Sequence, residues 1–158
     1  MLGNFRSDKD KIKIKTTSNN STSNMKYSLE KDKLGKTYGP YQLSVTKKQS
    51  ESYYSSIGSK NFNSLPPLIY VTLALTELIN ETGIISKDLE TVHSGQEVTW
   101  EKPMKAGEQI VAQGTLKSNN RRKDIRFAKI TVIYTKDSVQ IGTSTTNIII
   151  KEKHTTND

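Results

Sequence analysis

The chain has 158 residues and a mass of 17.8 kDa, a length typical of one domain. It carries 24 lysines and arginines against 16 aspartates and glutamates, which gives a net charge of +8. The absence of cysteine excludes disulfides, thiol nucleophiles and cysteine-ligated metals. The two histidines, His93 and His154, are too few for a histidine-based metal cluster, so we expect neither a metal nor another cofactor.

The excess positive charge is concentrated near the N-terminus. Residues 1–36 contain nine basic and four acidic residues, whereas residues 37–158 contain fifteen and twelve. Residues 16–24 are all Ser, Thr or Asn, which cannot offset the entropy of ordering. We predict that residues 1–36 form a disordered basic tail or, alternatively, an arm that binds an anionic surface. The nearly balanced charge of the remainder argues against nucleic-acid binding by the body of the protein.

The sequence predicts no membrane-spanning segment. Its apolar runs stay short of the roughly 18 residues that a transmembrane helix needs. Residues 1–15 also lack the apolar core of a secretory signal. We therefore expect a cytoplasmic protein.

Two short elements open the body of the chain. Residues 38–45 favour an extended segment, and residues 47–57 favour a helix. Thr46 is suited to cap this helix, because its hydroxyl can accept a hydrogen bond from a free first-turn amide. Gly58 is suited to end the helix, since glycine tolerates the left-handed conformation common there.

Residues 66–82 form the most hydrophobic segment and predict a long helix. Proline suits its first turn, where the missing amide hydrogen would have no partner. Apolar side chains cover almost the whole circumference, so we expect this helix to be buried on all sides. Gly83 is expected to end it.

The rest of the chain has the pattern of long strands joined by short turns. The predicted strands are residues 90–101, 109–117, 125–134 and 140–150, and the predicted turns include 105–108, 118–120 and 136–137. Consecutive strands with short turns form an antiparallel meander. A helix packed on such a sheet is an α+β architecture. We assign residues 37–151 to one domain and residues 152–158 to a polar C-terminal end.

Three stretches carry a resemblance to a known family. They are Leu-Pro-Pro-Leu at 65–68, Val-His-Ser-Gly-Gln-Glu-Val at 92–98, and Thr-Trp-Glu-Lys-Pro-Met-Lys-Ala-Gly-Glu at 99–108. Together they resemble the MaoC-like dehydratase and hydratase branch of the hotdog fold, in particular the N-terminal domain of two-domain dehydratases. Trp100 and Glu101 are local departures from the motif. The resemblance implies an antiparallel sheet wrapped around a long central helix.

Members of this family add or remove water across the double bond of an acyl thioester. The resemblance implies a catalytic Asp and His on the loop before the central helix, with the helix N-terminus polarising the thioester carbonyl. Here that loop, residues 59–65, is short and contains neither Asp nor His. Asn61 and Asn63 cannot replace a base. They are candidates to orient water or hold a substrate oxygen, or else they are solvent-exposed loop residues.

Other residues have both a functional and a structural interpretation. His93 is a weak catalytic candidate, and a structural hydrogen bond in the core is the simpler role. Pro67 and Tyr70 are candidates for substrate binding, and Tyr53 and Tyr54 for the acyl pocket. Ordinary packing is the alternative for these aromatic residues.

Charged side chains provide further candidates. Arg121 and Arg122, with Lys123 and Arg126, form a basic cluster on a predicted turn that suits the phosphates of coenzyme A or an acidic carrier protein. The alternative is a solvated hairpin tip. Glu97 and Glu101 share a predicted strand face, where two carboxylates or two solvent-facing side chains are possible. His154 lies in the polar C-terminal end and receives no role.

Three functions compete at this point. The first is a subunit of an (R)-specific enoyl-thioester hydratase or 3-hydroxyacyl-thioester dehydratase, holding the substrate beside a catalytic hotdog subunit. The second is a non-catalytic homodimer that binds acyl-CoA or lipid. The third is an acyl-CoA thioesterase, for which Glu77 and Glu81 lie at the wrong end of the helix. The implied partners are an acyl thioester of coenzyme A or acyl carrier protein and a second hotdog chain.

Overall fold

The computed structural model describes residues 27–60 and 64–152. A 3₁₀ turn at Ser28–Glu30 precedes seven longer elements. These are β1 (Thr37–Ser44), α1 (Lys47–Ser56), α2 (Pro67–Thr82), β2 (Leu89–Trp100), β3 (Gln109–Arg122), β4 (Ile125–Lys136) and β5 (Val139–Glu152). The short helix and the long helix lie where the sequence predicts them. Asn61, Asn63 and His154 fall outside the described residues.

The five strands form one antiparallel sheet in the order β1-β3-β4-β5-β2. This confirms the predicted α+β architecture. Strand β3 runs five residues beyond its predicted end at residue 117, so the prediction of a turn at residues 118–120 is wrong. Asn119 stays in the strand, where its amide donates to the carbonyls of Leu29 at 2.8 Å and Asp32 at 3.0 Å. The reversal instead uses Lys123, which has a positive φ of 57°.

One face of α2 packs on the inner face of the sheet. Its buried residues recur at helical spacing and are Tyr70, Val71, Ala74, Leu78 and Thr82. Gly114 in β3 permits the close approach, because a Cβ there would lie 3.3 Å from the Leu78 side chain. Gly83 adopts the left-handed conformation, with φ 66°, and ends the helix as predicted.

The opposite face of α2 is only partly covered by residues 27–60 and 64–152, so the prediction of burial on all sides is wrong. Leu68 is 57% exposed. Four further apolar residues on this helix are only partly buried, namely Ile69, Leu73, Leu75 and Ile79. The sheet of one chain packs against only one side of the helix. Apolar composition does not show whether the same chain or another molecule covers the other side.

Residues 27–36 belong to the packed domain, although the sequence predicts a tail up to residue 36. Leu29 is fully buried and Tyr27 is 7% exposed. The Tyr38 hydroxyl donates to the Asp32 carboxylate at 3.0 Å. Burial is the main cause that raises the pKa of Tyr38, and this hydrogen bond is the second. The predicted disorder of residues 1–26 concerns residues outside the described part of the chain.

Arg126 fastens this N-terminal segment to the sheet. Its guanidinium donates to the Tyr27 hydroxyl at 3.0 Å and to the Asn119 side-chain oxygen at 2.9 Å. It also lies 5.9 Å from the centroid of the Tyr27 ring. Arg126 is 7% exposed, so its assignment to an exposed basic cluster is wrong. Its position on β4 turns it inward, whereas Arg121 and Arg122 remain exposed.

Lys136 and Glu108 join the end of β4 to the turn before β3, with their charged atoms 2.5 Å apart. The Lys136 hydrogen bond and then the Lys105 backbone amide lower the pKa of Glu108. The same contact raises the pKa of Lys136. Gly107 shapes this turn with a φ of 88°, in the region that glycine adopts without strain.

No helix in residues 27–60 and 64–152 is both long enough and apolar enough to cross a bilayer.

We expect Arg126→Ala to lower the free energy of unfolding by about 1–3 kcal/mol, because it removes the buried guanidinium that donates to the Tyr27 hydroxyl and to the partly buried Asn119 side chain. Urea denaturation measures the effect. Arg122→Ala is the matched control on an exposed arginine and should change the value by less than about 0.5 kcal/mol. Equal effects of the two substitutions would contradict the buried role of Arg126.

Glu108→Gln should destabilise the protein at neutral pH but not in acid. The depressed pKa of Glu108 means that its stabilising effect is present above the ordinary value of 4.5 and is lost as pH falls through the folded-state pKa. Denaturant midpoints of wild type and variant should therefore converge at low pH. The glutamine still accepts from the Lys105 amide, so a difference that persists in acid would argue against the ion pair.

Candidate functional site

An open cleft of about 320 Å³ lies beside the N-terminus of α2. Its lining comes from α1, the loop that enters α2, and the end of β2. The lining residues are Tyr53, Tyr54, Ile57, Ser64, Leu65, Pro66, Pro67, Trp100 and Pro103. The cleft is therefore mainly aromatic and aliphatic.

A well-capped helix supplies the tyrosine wall of this cleft. Thr46 and Gln49 form a reciprocal capping box at the start of α1, which fixes the orientation of that helix. Tyr53 and Tyr54 follow near its end, with their ring centroids 5.7 Å apart at an interplanar angle of 80°. Tyr54 is buried and Tyr53 is partly exposed, so one ring anchors the wall and the other faces the opening.

The loop into α2 forms the second wall. Leu65 donates its amide to the Met104 carbonyl at 2.7 Å, and the two residues form an isolated bridge. Pro66 is the N-cap and provides no side-chain cap. Pro67 has no amide hydrogen, and the Ile69 amide already donates to the Pro66 carbonyl at 3.1 Å. This helix start therefore presents fewer free amides to an oxyanion than an ordinary one does.

Trp100 closes the inner side of the cleft. Its ring is stacked on Tyr70 with centroids 6.0 Å apart, and it lies 5.0 Å from the ring of Tyr134. Across the sheet, Trp100 pairs with Gly142, where a Cβ would lie 2.4 Å from the indole. The glycine thus leaves the space that the indole occupies.

The lining residues contain no acid–base group that works near neutral pH. The described residues that line the cleft include no Asp, Glu, His, Lys or Arg. Behind Trp100, burial raises the pKa of Tyr134 to about 12. Burial, and secondarily Glu108, also raises the pKa of Tyr70. The described lining is suited to bind an apolar group.

Pro67 and Tyr70 both lie near this site but in different positions. Pro67 lines the cleft, and its role in substrate binding remains a prediction. Tyr70 is fully buried behind Trp100 and does not line the cleft, so direct contact with a substrate is not supported. The positions of Asn61 and Asn63 lie in the undescribed part of the preceding loop.

His93 is not a core residue, and in this respect the prediction is wrong. It is the fifth residue of β2 and is exposed. Its Nε2 lies 3.1 Å from the side-chain oxygen of Gln96, which also accepts from the Thr146 hydroxyl at 2.8 Å. A bulge between His93 and Gly95 shifts the register here. His93 does not line the cleft.

Arg121 and Arg122 lie at the other end of the sheet. Trp100, Gly142, Tyr134 and Ala112 are paired across the sheet in one row, and Arg121 lies nine positions further along β3 than Ala112. At about 3.3 Å per residue, the arginines are roughly 30 Å from the cleft. They border an open surface depression with Asn120 and Phe127.

The carboxylates considered from sequence do not meet at the cleft either. Glu97 and Glu101 are exposed, and neither lines it. Glu81 instead accepts hydrogen bonds from the Tyr41 hydroxyl at 2.5 Å and the Gly39 amide at 2.9 Å. Glu77 and Glu81 lie toward the C-terminal end of α2, with Glu81 about 20 Å along its axis from the first turn.

Trp100, Tyr134 and Gly142 are the site residues that sequence reasoning missed. Trp100 reads as a local departure from a motif, and nothing in the sequence joins it to Tyr70. A usable signal exists, because Gly142 lies inside a predicted strand, between the β-branched residues Ile141 and Thr143. A glycine inside a strand often marks a place where another group approaches closely.

No family model matches the sequence, and no curated protein matches it. Solved structures do match. A MaoC-like dehydratase from Rhodospirillum rubrum has a TM-score of 0.60 and 11% identity, covering 80% of this chain and 97% of that one. A hot-dog-like protein from Thermanaerovibrio acidaminovorans has a TM-score of 0.56 and 9% identity, covering 75% and 83%.

The chain has a hotdog fold. The hotdog chains that it matches include the HadBC complex, a 3R-hydroxyacyl-ACP dehydratase from Mycobacterium tuberculosis, with a TM-score of 0.60 and 15% identity over 75% of this chain and 97% of that one. They also include the fluoroacetyl-CoA-specific thioesterase FlK, with a TM-score of 0.56 and 13% identity over 77% and 89%. The hotdog architecture predicted from the motifs is confirmed.

We expect Gly142→Ala to lower the free energy of unfolding by about 1–3 kcal/mol, because the new methyl group overlaps the Trp100 ring. Thermal or urea denaturation measures this. Gly114→Ala is the comparison within the same sheet and should have a smaller effect, since its Cβ would meet the end of Leu78 at 3.3 Å and Ile130 and Tyr38 at 3.5 Å, with no overlap. The reverse ranking would show that Trp100 is free to move away from Gly142.

Proposed function

We propose that this protein is the substrate-binding subunit of an (R)-specific enoyl-thioester hydratase or 3-hydroxyacyl-thioester dehydratase. In this proposal it binds the acyl thioester of coenzyme A or acyl carrier protein. A second hotdog subunit supplies the Asp and His. The observation that carries the proposal is an apolar cleft at the N-terminus of α2 whose described lining has no acid–base pair.

The lining supports binding without catalysis. Hydration needs one group to activate water and another to protonate or deprotonate the substrate carbon. The described lining includes no Asp, Glu or His to fill either role. Residues 59–65 contain no carboxylate and no imidazole, and the proline at Pro67 removes one donor from the helix start. The aromatic walls remain suited to an acyl group.

The uncovered surfaces support a partner chain. The apolar side of α2 is partly exposed, with Leu68 at 57%. Strand β2 is an edge of the described sheet, and its inward-facing Val98 is 38% exposed. A second hotdog subunit that pairs along β2 would cover both. HadBC, one of the matched structures, is a dehydratase complex.

The same pairing would give Arg121 and Arg122 a role. They are too far from the cleft of their own chain to hold the phosphates of its substrate. Antiparallel pairing of β2 with the corresponding strand of a partner would bring this hairpin to the end of the joint sheet that contains the partner's cleft. In our proposal the arginines therefore bind the anionic carrier that serves the catalytic subunit.

A homodimer that binds acyl-CoA without catalysis is the second candidate. It is favoured by the same exposed surfaces, since a second copy of this chain could cover them. A thioesterase is less well supported, because no carboxylate is among the described residues that line the cleft. The native mass of the purified protein, alone and after co-expression with its neighbouring genes, separates a homodimer from a heterodimer.

The purified chain should bind butyryl-CoA, measured by calorimetry, but should not hydrate crotonyl-CoA above the buffer rate. The physical reason is the absence of a general acid and base beside the cleft. Robust hydration by the chain alone that His93→Ala abolishes would overturn the non-catalytic assignment. A Val139→Thr variant, changed at an exposed strand start, controls for effects of substitution alone.

A further inference from the structure

Trp100 stands between the open cleft and the interior of the fold. It lines the cleft and contacts two interior rings, Tyr70 and Tyr134, which are both fully buried. The indole thus forms the floor of the cleft. Any acyl chain that entered from the α2 side would meet it.

The indole is held in place from three directions. Its Nε1 donates to the Lys102 carbonyl at 2.7 Å, which fixes the plane of the ring. Tyr70 is nearly parallel to it, at an interplanar angle of 15°. The ring of Tyr134 lies 5.0 Å from it on another side, and a Cβ at position 142 would overlap the indole. Displacement of the indole would therefore break the hydrogen bond to Lys102 and the contacts with the tyrosine rings.

The space above this floor is small. The cleft volume of about 320 Å³ is at the lower end of the roughly 300–1,000 Å³ found for ligand pockets. It must also admit the thioester and the end of its pantetheine arm. Little volume remains for hydrocarbon.

Removal of the indole would extend the cleft inward. The new space would be bounded by the rings of Tyr70 and Tyr134 and by the backbone at Gly142. The Tyr70 hydroxyl is buried and makes no hydrogen bond to the described residues, so it imposes no fixed arrangement on this region. The enlarged cleft would remain largely apolar and would suit a longer acyl chain.

We propose that Trp100 is the specificity-determining residue of this cleft and restricts it to short acyl groups. This inference rests on the proposed acyl-thioester binding. One methylene that does not fit a pocket changes affinity by about tenfold or more. We therefore expect wild-type protein to bind butyryl-CoA at least about tenfold more tightly than octanoyl-CoA.

Calorimetry on the full chain tests this with acetyl-, butyryl- and octanoyl-CoA, which are saturated and cannot be hydrated. Trp100→Ala should reverse the preference in favour of octanoyl-CoA, and Trp100→Phe should give an intermediate ratio. Ile133→Ala, an exposed site on β4, is the control and should keep the wild-type ratio. Circular dichroism establishes that each variant is folded.

A second measurement uses wild-type protein alone, so the test does not depend on a folded Trp100→Ala. Trp100 is the single tryptophan of the chain, and its fluorescence reports directly on the floor of the cleft. Butyryl-CoA should protect it from acrylamide quenching, whereas coenzyme A without an acyl group should not. Equal protection by coenzyme A alone would show that the acyl group is not what shields Trp100, and would overturn the proposal.

The outcomes separate this inference from the function on which it rests. Wild-type binding of octanoyl-CoA as tight as that of butyryl-CoA would overturn the role of Trp100 and leave acyl-thioester binding intact. An unchanged chain-length ratio in a folded Trp100→Ala would do the same. No binding of any acyl-CoA by wild-type protein would overturn the proposed function itself.

Discussion

The packing of α2 against the inner face of the sheet is the constraint on which the rest of the structure depends. Burial of apolar area is the dominant favourable contribution to folding, and this helix carries the most apolar segment of the chain. Gly114 lets the helix approach, and Leu78 fills the contact. The N-terminus of the helix then lies at the cleft, and its C-terminus lies beside the N-terminal segment that contacts Arg126.

The same packing leaves one side of α2 partly exposed in the described chain. A sheet covers one side of a helix, and the other side of α2 remains apolar and partly exposed. Strand β2 is an edge of the described sheet and is open to pairing with another chain. A partner that extends the sheet would complete the burial, so the surface that suggests a second subunit results directly from the core interaction.

The function that we propose depends on what the cleft contains and on what it lacks. Aromatic walls and a tryptophan floor suit an acyl group, whereas tyrosines alone cannot carry out acid–base chemistry near neutral pH. Fold similarity at 9–15% identity does not decide between these possibilities, because unrelated functions share one fold. The residues at the start of α2 therefore carry the functional argument.

The sequence by itself determined the two helices and the α+β class, because caps, breakers and hydrophobic periodicity are local properties. The resemblance of three motifs to a known family implied the hotdog fold and the catalytic Asp and His that residues 59–65 lack. Only the tertiary structure decided that Arg126 is buried, that His93 is exposed and that Trp100 forms the floor of the cleft. Those positions depend on which residues meet across strands and on how a helix lies over a sheet. Contacts between residues distant in sequence leave no periodic pattern along a single chain.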